Sequence, residues 1–263
     1  MTSTIAILWG GPAVVMLGLW AWQLRSRDAS SVDVAWAYLV GAAACAVLLL
    51  GDGDTTRRIV ALSLFVVWSA RLGTHLLIDR VLKAHGEDSR YAHWRDSAGA
   101  AWNRIAFVFF QTQAIFVAIF ALPALALASD QRPFGSWSDW LGLAVWISGL
   151  LIGFVADAQL ARWRRDPANR GRTCRQGLWR YSRHPNYFGE WLLWCAWPLI
   201  ALGGPWGAWL WLHPLGVLLF LVLVTGIPFN ERRALASRGD DYRRYQRSTS
   251  PFIPWPPRPE NPS

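Results

Sequence analysis

The residues with the clearest chemical potential lie in one short stretch, 177–191, which reads GLWRYSRHPNYFGEW. Pro185 is unfavourable inside a helix but suits the first turn of one, so we expect a helix to begin there. Asn186 and Glu190 then lie one turn apart on the same helix face. A carboxyl group at the mouth of an apolar helix can be protonated near neutral pH and donate a hydrogen bond to a carbonyl oxygen. The stretch therefore predicts a site that combines an amide with a carboxylic acid.

Other polar side chains lie near the ends of other apolar segments. Ionisable groups inside membrane spans are costly and usually functional. We expect these groups to converge at one depth, in a polar cavity that faces the cytoplasm and is lined by spans two, three, five, six and seven. For any single residue, a helix cap or a charge beside the membrane is an equally good interpretation. The residues concerned are Asp33, Arg71, His75, Asp157, Gln159, Asn230 and Glu231.

The composition indicates that membrane-spanning helices position these groups. Hydrophobic residues make up 53% of the 263 residues, charged residues 16%, and there are 19 tryptophans. An ordinary globular domain has about 25% charged residues, so a soluble enzyme is disfavoured and a disordered chain is excluded. A span needs about 20 apolar residues. We expect an all-α polytopic membrane protein, one domain over residues 1–263, with seven spans at residues 5–24, 33–50, 59–78, 105–128, 141–159, 187–202 and 206–229.

The arginines indicate orientation and a class of ligand. Eight arginines lie between residues 162 and 183, and seven follow residue 231. By the positive-inside rule, we expect the N-terminus outside and the C-terminus in the cytoplasm. Guanidinium groups suit a phosphate-bearing ligand, but anionic lipids would attract them as well. The three cysteines have no metal-ligand spacing, so we expect no metal site.

The motif R-H-P-N-Y-x-G-E at residues 183–190 resembles the membrane reductase superfamily of steroid 5α-reductases and sterol C14 reductases. The resemblance continues at residues 86–91, at Asp157 with Arg164 seven residues later, and in the tail at residues 241–245 and 251–254. The chain looks most like the bacterial branch of the steroid 5α-reductase group. This resemblance implies a seven-span enzyme of the bacterial inner membrane with its active site facing the cytoplasm.

The resemblance implies hydride transfer from NADPH to the C5 carbon of a 4-ene-3-oxo steroid, followed by addition of a proton at C4. Glu190 would donate a hydrogen bond to the 3-keto oxygen, which gains negative charge during the transfer. Asn186 would hold the nicotinamide carboxamide, because an amide side chain offers both a donor and an acceptor. By the same resemblance, the rest of NADPH would be bound by Asp157, Arg164, Arg172, Tyr181, His184, Tyr187, Arg233 and Tyr242.

Span two departs from the pattern of the steroid-reducing members. Those members place a glutamine there to pair with the glutamate, whereas residues 32–38 read VDVAWAY here. Asp33 is the nearest polar candidate for the second catalytic group, and Tyr38 is another possible donor. The identity of this group, and with it the substrate, is left open by the sequence.

The same motif also resembles the isoprenylcysteine and phospholipid methyltransferases, which bind S-adenosylmethionine. We favour the reductase because Asn186 with Glu190 is the reductase form of the motif, and because Asn230 precedes Glu231 where the methyltransferase tail has a second glutamate. Seven spans also exceed what the smaller methyltransferases have. The expected partners are NADPH, a hydrophobic steroid-like substrate that enters from the lipid, and membrane lipids. We expect no nucleic acid and a monomer.

Overall fold

The computed structural model describes residues 2–83, 86–224 and 226–259. Over these residues the chain consists of α-helices joined by short π-helical and 3-10 turns, and no strand is formed. The expected all-α fold class is therefore confirmed for the described part of the chain. The helices form two compact units, Met1–Phe134 and Gly135–Ser263.

The first unit packs its longest helices through small residues. A Cβ atom on Gly41 would lie 2.3 Å from the Ser69 hydroxyl oxygen, so a glycine is required where these two helices touch. Ser69 donates a hydrogen bond of 2.9 Å to the backbone oxygen of Ala37. The α-helices of this unit are α1 (Thr2–Ile5), α2 (Gly11–Ser26), α3 (Ser31–Leu50), α4 (Thr55–Leu77), α5 (Ser89–Ala98), α6 (Trp102–Phe120) and α7 (Leu122–Ala128).

The second unit is organised around a long helix and its partner. The long helix begins with a capping box, in which the Ser136 side chain and the Asp139 side chain each accept a backbone N–H of the other residue. Its last turn is rich in arginine, whose positive charge suits the C-terminal end of the helix dipole. The α-helices of this unit are α8 (Trp137–Arg165), α9 (Pro185–Ile200), α10 (Leu212–Leu219) and α11 (Ile227–Ser248).

Six helical segments of the described chain are long and apolar enough to cross a bilayer. They indicate an integral membrane protein, but the expected count of seven is not confirmed. The segment that falls short is α9, which has only 16 residues, whereas a span needs about 20. The orientation of the termini stays a prediction. The six segments are Ala6–Ser26, Ser31–Leu50, Thr55–Leu82, Ser89–Ala128, Trp137–Arg165 and Trp209–Ser248.

Candidate active site

Glycines bring α8 and α9 into backbone contact in the second unit. A Cβ atom on Gly149 would lie 2.6 Å from the carbonyl oxygen of Gly189. A Cβ atom on Gly189 would lie 2.7 Å from both the carbonyl oxygen of Gly149 and the backbone nitrogen of Gly153. No side chain larger than hydrogen fits at this crossing. The close approach carries the polar end of α8 to the start of α9, where the motif lies.

Asn186 is oriented by two hydrogen bonds at the start of α9. Its amide nitrogen donates to Asp157 Oδ1 at 3.1 Å, and its amide oxygen accepts the backbone N–H of Tyr187 at 3.1 Å. Pro185 occupies the first turn of the helix, as the sequence predicts. Two of the residues assigned by resemblance to the cofactor are thus in direct contact, although they lie 29 positions apart in the chain.

Glu190 lies one turn further along α9, and its carboxyl group is held by an indole. Trp194 Nε1 donates a hydrogen bond of 3.1 Å to Glu190 Oε1. Trp194 is only 2% exposed, and its ring lies 5.1 Å from the imidazole ring of His213 on α10. Trp194 was not among the residues predicted from the sequence. Its spacing of four residues from Glu190 on a helix was the available signal.

Glu231 on α11 ties the tail to the motif. Its carboxylate accepts from Arg183 Nε at 2.6 Å and from Gln246 Nε2 at 2.7 Å. His184 Nε2 and the Tyr242 hydroxyl each lie 3.4 Å from Glu231 Oε1. Arg183 also donates to the backbone oxygen of Gln246 at 2.9 Å. The side chains of His184 and Tyr242, both assigned by resemblance to the cofactor, therefore contact this carboxylate.

Tyr187 lies between the motif and the start of α11. Its ring stacks on His184, with centroids 5.5 Å apart and planes 8° from parallel. Its hydroxyl accepts a hydrogen bond of 2.6 Å from Asn230 Nδ2. A Cβ atom on Gly226 would lie 3.1 Å from the Tyr187 ring, so the start of α11 approaches the ring closely. These contacts give Tyr187 a packing role within the motif.

The remaining residues assigned to the cofactor lie at the surface of the second unit. Arg164, Arg172 and Arg233 are exposed, and no hydrogen bond or ion pair engages their side chains among the described residues. Tyr181 is 42% exposed, and its backbone oxygen accepts the N–H of Trp255 at 2.9 Å. Arg164 follows Asp157 by seven residues on α8, which places the two on nearly the same helix face. The three guanidinium groups are therefore available to an anionic ligand.

In the first unit, Asp33 is the centre of an ion-pair cluster. It accepts from Arg80, from Arg90 Nη2 at 2.7 Å and from the Tyr91 hydroxyl at 2.8 Å. Arg80 and Arg90 also bind Asp88, at 3.6 Å and 3.0 Å. The cluster fixes the segment after α4 to the start of α3. A catalytic role for Asp33 stays a prediction beside this anchoring role.

Asp88, which lies between the candidate spans, responds to the same arginines. Burial alone would raise the pKa of its carboxyl group, but hydrogen bonds and charge from Arg90, with the charge of Arg80, lower that pKa below the ordinary 3.8. The neighbouring Glu87 binds Arg95 at 2.8 Å and also accepts the backbone N–H of Ala29 at 2.8 Å. The segment at residues 86–91, which carries part of the family resemblance, thus connects the start of α3 to α5 through hydrogen bonds and ion pairs.

Tyr38, the other candidate in span two, lies on α3 about one and a half turns after Asp33. Its hydroxyl shares a hydrogen bond of 3.1 Å with the Thr74 hydroxyl on α4. The ring lies against Gly73, where an added Cβ atom would come within 2.7 Å of it. The side chain is 39% exposed. Its proposed pairing with Glu190 stays a prediction.

Comparison with known sequences gives a family and several relatives. The profile of a family described as "Protein of unknown function (DUF1295)" matches residues 19–249. An uncharacterised protein of Schizosaccharomyces pombe is 27% identical over 267 residues, which cover 90% of this chain and 75% of that protein.

Two further relatives have names that state an activity. Methanethiol S-methyltransferase of Mycobacterium tuberculosis is 36% identical over 86 residues, covering 31% of this chain and 30% of that enzyme. 3-oxo-5-alpha-steroid 4-dehydrogenase 1 of Bos taurus is 29% identical over 122 residues, covering 44% of this chain and 45% of that enzyme. The chain thus matches less than half the length of each of these two enzymes, and the two names point to different chemistry.

Proposed function

The chain belongs to the DUF1295 family, and on this premise we propose that it is a membrane-embedded reductase that uses NADPH to reduce the carbon–carbon double bond of an enone. The substrate class we favour is a 4-ene-3-oxo steroid, reduced to the 5α-3-oxo steroid. The observation that carries the proposal is the hydrogen bond between Asp157 on α8 and Asn186 on α9, where Asn186 lies one turn before Glu190. The similarity to 3-oxo-5-alpha-steroid 4-dehydrogenase 1 is its second support.

The donor set fits a nicotinamide dinucleotide. A primary amide carries two N–H donors and an oxygen with two lone pairs. In Asn186, Asp157 takes one donor and the N–H of Tyr187 takes one lone pair. The amide therefore retains a donor and an acceptor for a ligand carboxamide. The exposed Arg164 and Arg172 side chains suit the phosphates, because guanidinium groups bind phosphate oxygens in pairs.

When bound, NADPH would supply the hydride that C5 of the enone receives. As that bond forms, the electrons of the C4–C5 double bond shift toward C3, and the 3-keto oxygen becomes negative. Glu190 would stabilise this oxygen by donating a hydrogen bond and then its proton. The resulting enol would return to the ketone when C4 takes a proton from solvent and the hydroxyl proton returns to Glu190, which regenerates the acid.

Trp194 supports this role of Glu190 by defining which carboxyl oxygen carries the proton. An indole N–H is a donor only, so Glu190 Oε1 acts as an acceptor towards Trp194. A proton on Glu190 is then carried by Oε2. The buried Trp194 ring also restricts rotation of the carboxyl group. A donor held in a fixed direction loses little free energy to reorganisation during the reaction.

We further propose that the hydrophobic substrate enters from the lipid and that the site faces the cytoplasm of a bacterial inner membrane. The apolar spans and the arginine-rich segments support this arrangement. A monomer would suffice for this reaction, because each residue named in it belongs to one chain. Activity that does not depend on whether a steroid is presented in membrane or in water would contradict the lipid route.

The second candidate is an S-adenosylmethionine-dependent methyltransferase of the isoprenylcysteine or phospholipid type. The specific observation in its favour is the 36% identity to methanethiol S-methyltransferase over 86 residues. Both candidates predict a bound nucleotide-like ligand near the motif. They differ in which cofactor binds and in whether the amide of Asn186 is required.

The deciding experiment measures the unfolding midpoint of the purified protein in detergent with NADPH, NADH and S-adenosylmethionine. A ligand at 100 times its Kd stabilises the native state by about 2.7 kcal/mol. We expect a shift with NADPH that Asn186→Ala removes and Glu190→Gln retains. NADPH consumption with 4-ene-3-oxo steroids should then fall at least about 100-fold in Glu190→Gln, because a proton donor is lost. A shift with S-adenosylmethionine alone would overturn the reductase.

A further inference from the structure

A cavity of about 420 Å³ lies at the C-terminal end of α8, beside the arginine-rich segment. Its walls include Gln159, Arg162 and Trp163 of α8, with Asp166, Asn169 and Gln176 from the segment that follows. The residues proposed above for the nicotinamide and the carbonyl do not line it. The cavity is large enough for a small polar ligand. A ligand bound there would be additional to the cofactor and substrate of the proposed reaction.

The cavity faces away from the candidate active site around the axis of α8. An α-helix turns by about 100° per residue, so Asp157 and Arg164 lie roughly 20° apart on one face. By the same count, Arg162, Gln159 and Trp163 lie roughly 140–240° from Asp157. The two sets of side chains therefore occupy opposite faces of the same helix end. A ligand in the cavity would not compete with one at Asn186.

The wall opposite α8 is held in place by hydrogen bonds. Asn169 Nδ2 donates to the backbone oxygen of Trp163 at 3.1 Å, and the N–H of Leu178 donates to Gln159 Oε1 at 2.9 Å. Gly177 has a φ of +57°, and a Cβ atom there would lie 2.4 Å from the Gln159 amide nitrogen. Only glycine fits this close turn. The cavity is thus preformed by the backbone.

Asp241 on α11 also holds the segment that follows α8. The carboxylate of Asp241 accepts the N–H of Thr173 at 2.8 Å and pairs with Arg175 Nη2 at 3.0 Å. Cys174 lies between these two residues and contributes to the cavity wall. Burial raises the pKa of its thiol, so Cys174 lines the cavity as a neutral group.

Two opposite charges line the cavity without pairing. Arg162 lies in the last turn of α8, and Asp166 directly follows the end of that helix in extended backbone. No ion pair joins them in the part of the chain that the structure describes. Asp166 Oδ1 accepts the N–H of Ala168 at 2.9 Å. A guanidinium and a carboxylate that line one cavity without pairing match a ligand that carries both charges.

The neighbouring groups favour a phosphate on the cationic side. The indole ring of Trp163 lines the cavity, and its nitrogen is buried without a hydrogen-bond partner in the described structure. Arg162 provides the paired N–H groups that bind phosphate oxygens. The cavity also lies at the arginine-rich end of the candidate span Trp137–Arg165, where we expect lipid headgroups to meet water.

We propose that this cavity binds a ligand that carries a phosphate and a primary ammonium, with the phosphate at Arg162 and the ammonium at Asp166. A phosphoethanolamine lipid headgroup has this chemistry, and so does its water-soluble form. A phosphocholine headgroup lacks the N–H donors that a carboxylate accepts. A phosphoglycerol headgroup lacks the positive charge altogether.

The test titrates delipidated protein in detergent with phosphatidylethanolamine, phosphatidylcholine, phosphatidylglycerol and glycerophosphoethanolamine while the unfolding midpoint is measured. We expect saturable stabilisation by phosphatidylethanolamine, with an apparent affinity about tenfold weaker in Arg162→Gln and in Asp166→Asn, as loss of one charge-assisted hydrogen bond predicts. Asn at position 166 keeps the oxygen that accepts the N–H of Ala168. Stabilisation by glycerophosphoethanolamine as well would assign the site to the soluble phosphoamine, and its absence would assign the site to the lipid.

The matched control is Arg165→Gln, which removes the same charge from the next exposed turn of α8 without touching the cavity. It should leave the titration unchanged. Equal weakening by Arg162→Gln and Arg165→Gln, or equal stabilisation by phosphatidylglycerol, would overturn the proposal in favour of general charge attraction. Absence of any saturable effect would also overturn it. The NADPH shift should survive in Arg162→Gln, so this test and that of the reductase fail independently.

Discussion

Asp33 in the first unit and Glu190 in the second occupy similar places on their helices but have different surroundings. Each is a carboxyl group near the polar end of an apolar helix. Asp33 accepts hydrogen bonds from two guanidinium groups and a phenol. Among the donors to Glu190 is the neutral indole of Trp194. Depth along a helix therefore does not distinguish an anchoring carboxylate from the catalytic acid that we propose at Glu190.

The two surroundings have different consequences for the protein. Removing the charge of Asp33 leaves Arg80 and Arg90 with less compensation, which costs folding free energy. Changing the donor to Glu190 leaves no charge unmatched and should act on the reaction instead. The same comparison applies to Glu231, which Arg183 holds at 2.6 Å and which also serves as an anchor. These differences can be measured.

The largest effect on stability is expected for Asp33→Asn. Hydrogen bonds to charged groups contribute about 1.5–3 kcal/mol each, and this carboxylate is 17% exposed, so we expect a loss of about 2 kcal/mol. For a domain of this size, that loss lowers the unfolding midpoint by about 4–8 °C. The measurement is the midpoint of the purified protein in detergent.

Its control is Asp79→Asn, an exposed aspartate in the π-helical turn after α4, which should change stability by less than about 0.5 kcal/mol. The opposite result is informative. If Asp33→Asn keeps the midpoint but abolishes turnover, Asp33 belongs to the catalytic machinery, and the contrast with Glu190 is lost.

The sequence predicts the second unit's motif better than its surroundings. Helical spacing places Asn186 and Glu190 on one face, and Pro185 marks where α9 begins. The resemblance brings Asp157 into the same site, and the hydrogen bond to Asn186 agrees with this. These features are local, or are carried by one helix pair that packs through glycines. The all-α fold could be predicted from composition because apolar segments about 20 residues long form helices through local hydrogen bonds.

The partners of the charged groups could not be predicted in this way. Asp33 and Arg90 are 57 positions apart, and Arg183 and Glu231 are 48 apart, so only tertiary folding brings them together. Trp194 was overlooked because tryptophan is common throughout this chain and its role depends on the rotamer of one side chain. The predicted count of seven spans is not confirmed because α9 ends after 16 residues, where the chain turns.

A smaller effect is expected for Trp194→Phe, which removes the indole donor but keeps an aromatic ring. Loss of one hydrogen bond to the carboxyl group should lower kcat about tenfold, which is about 1.4 kcal/mol, while the affinity for NADPH stays the same. The measurement is steady-state NADPH consumption with the enone, analysed for kcat and KM separately.

The matched control is Trp191→Phe on the same helix, where the indole N–H donates to the backbone oxygen of Pro214 at 3.0 Å. It loses an equivalent hydrogen bond that does not reach Glu190, so kcat should be preserved. An equal fall of kcat in both variants would mean that Trp194 acts through the packing of α9 and not through Glu190.

The smallest expected effect is on how stability depends on pH, through protonation of Asp88 beside the Asp33 cluster. The pKa of the Asp88 carboxyl is lower in the folded protein than its ordinary 3.8, because Arg90 and Arg80 outweigh the effect of burial. Its contribution to stability is therefore present above pH 4 and is lost as the pH falls through the lower, folded value. A partly exposed ion pair contributes less than about 1 kcal/mol. Between pH 6 and pH 3 the unfolding midpoint should fall further in the native protein than in Asp88→Asn, because the variant has no carboxyl to protonate at this position. Parallel curves would mean that Asp88 does not share in the charge compensation at Asp33.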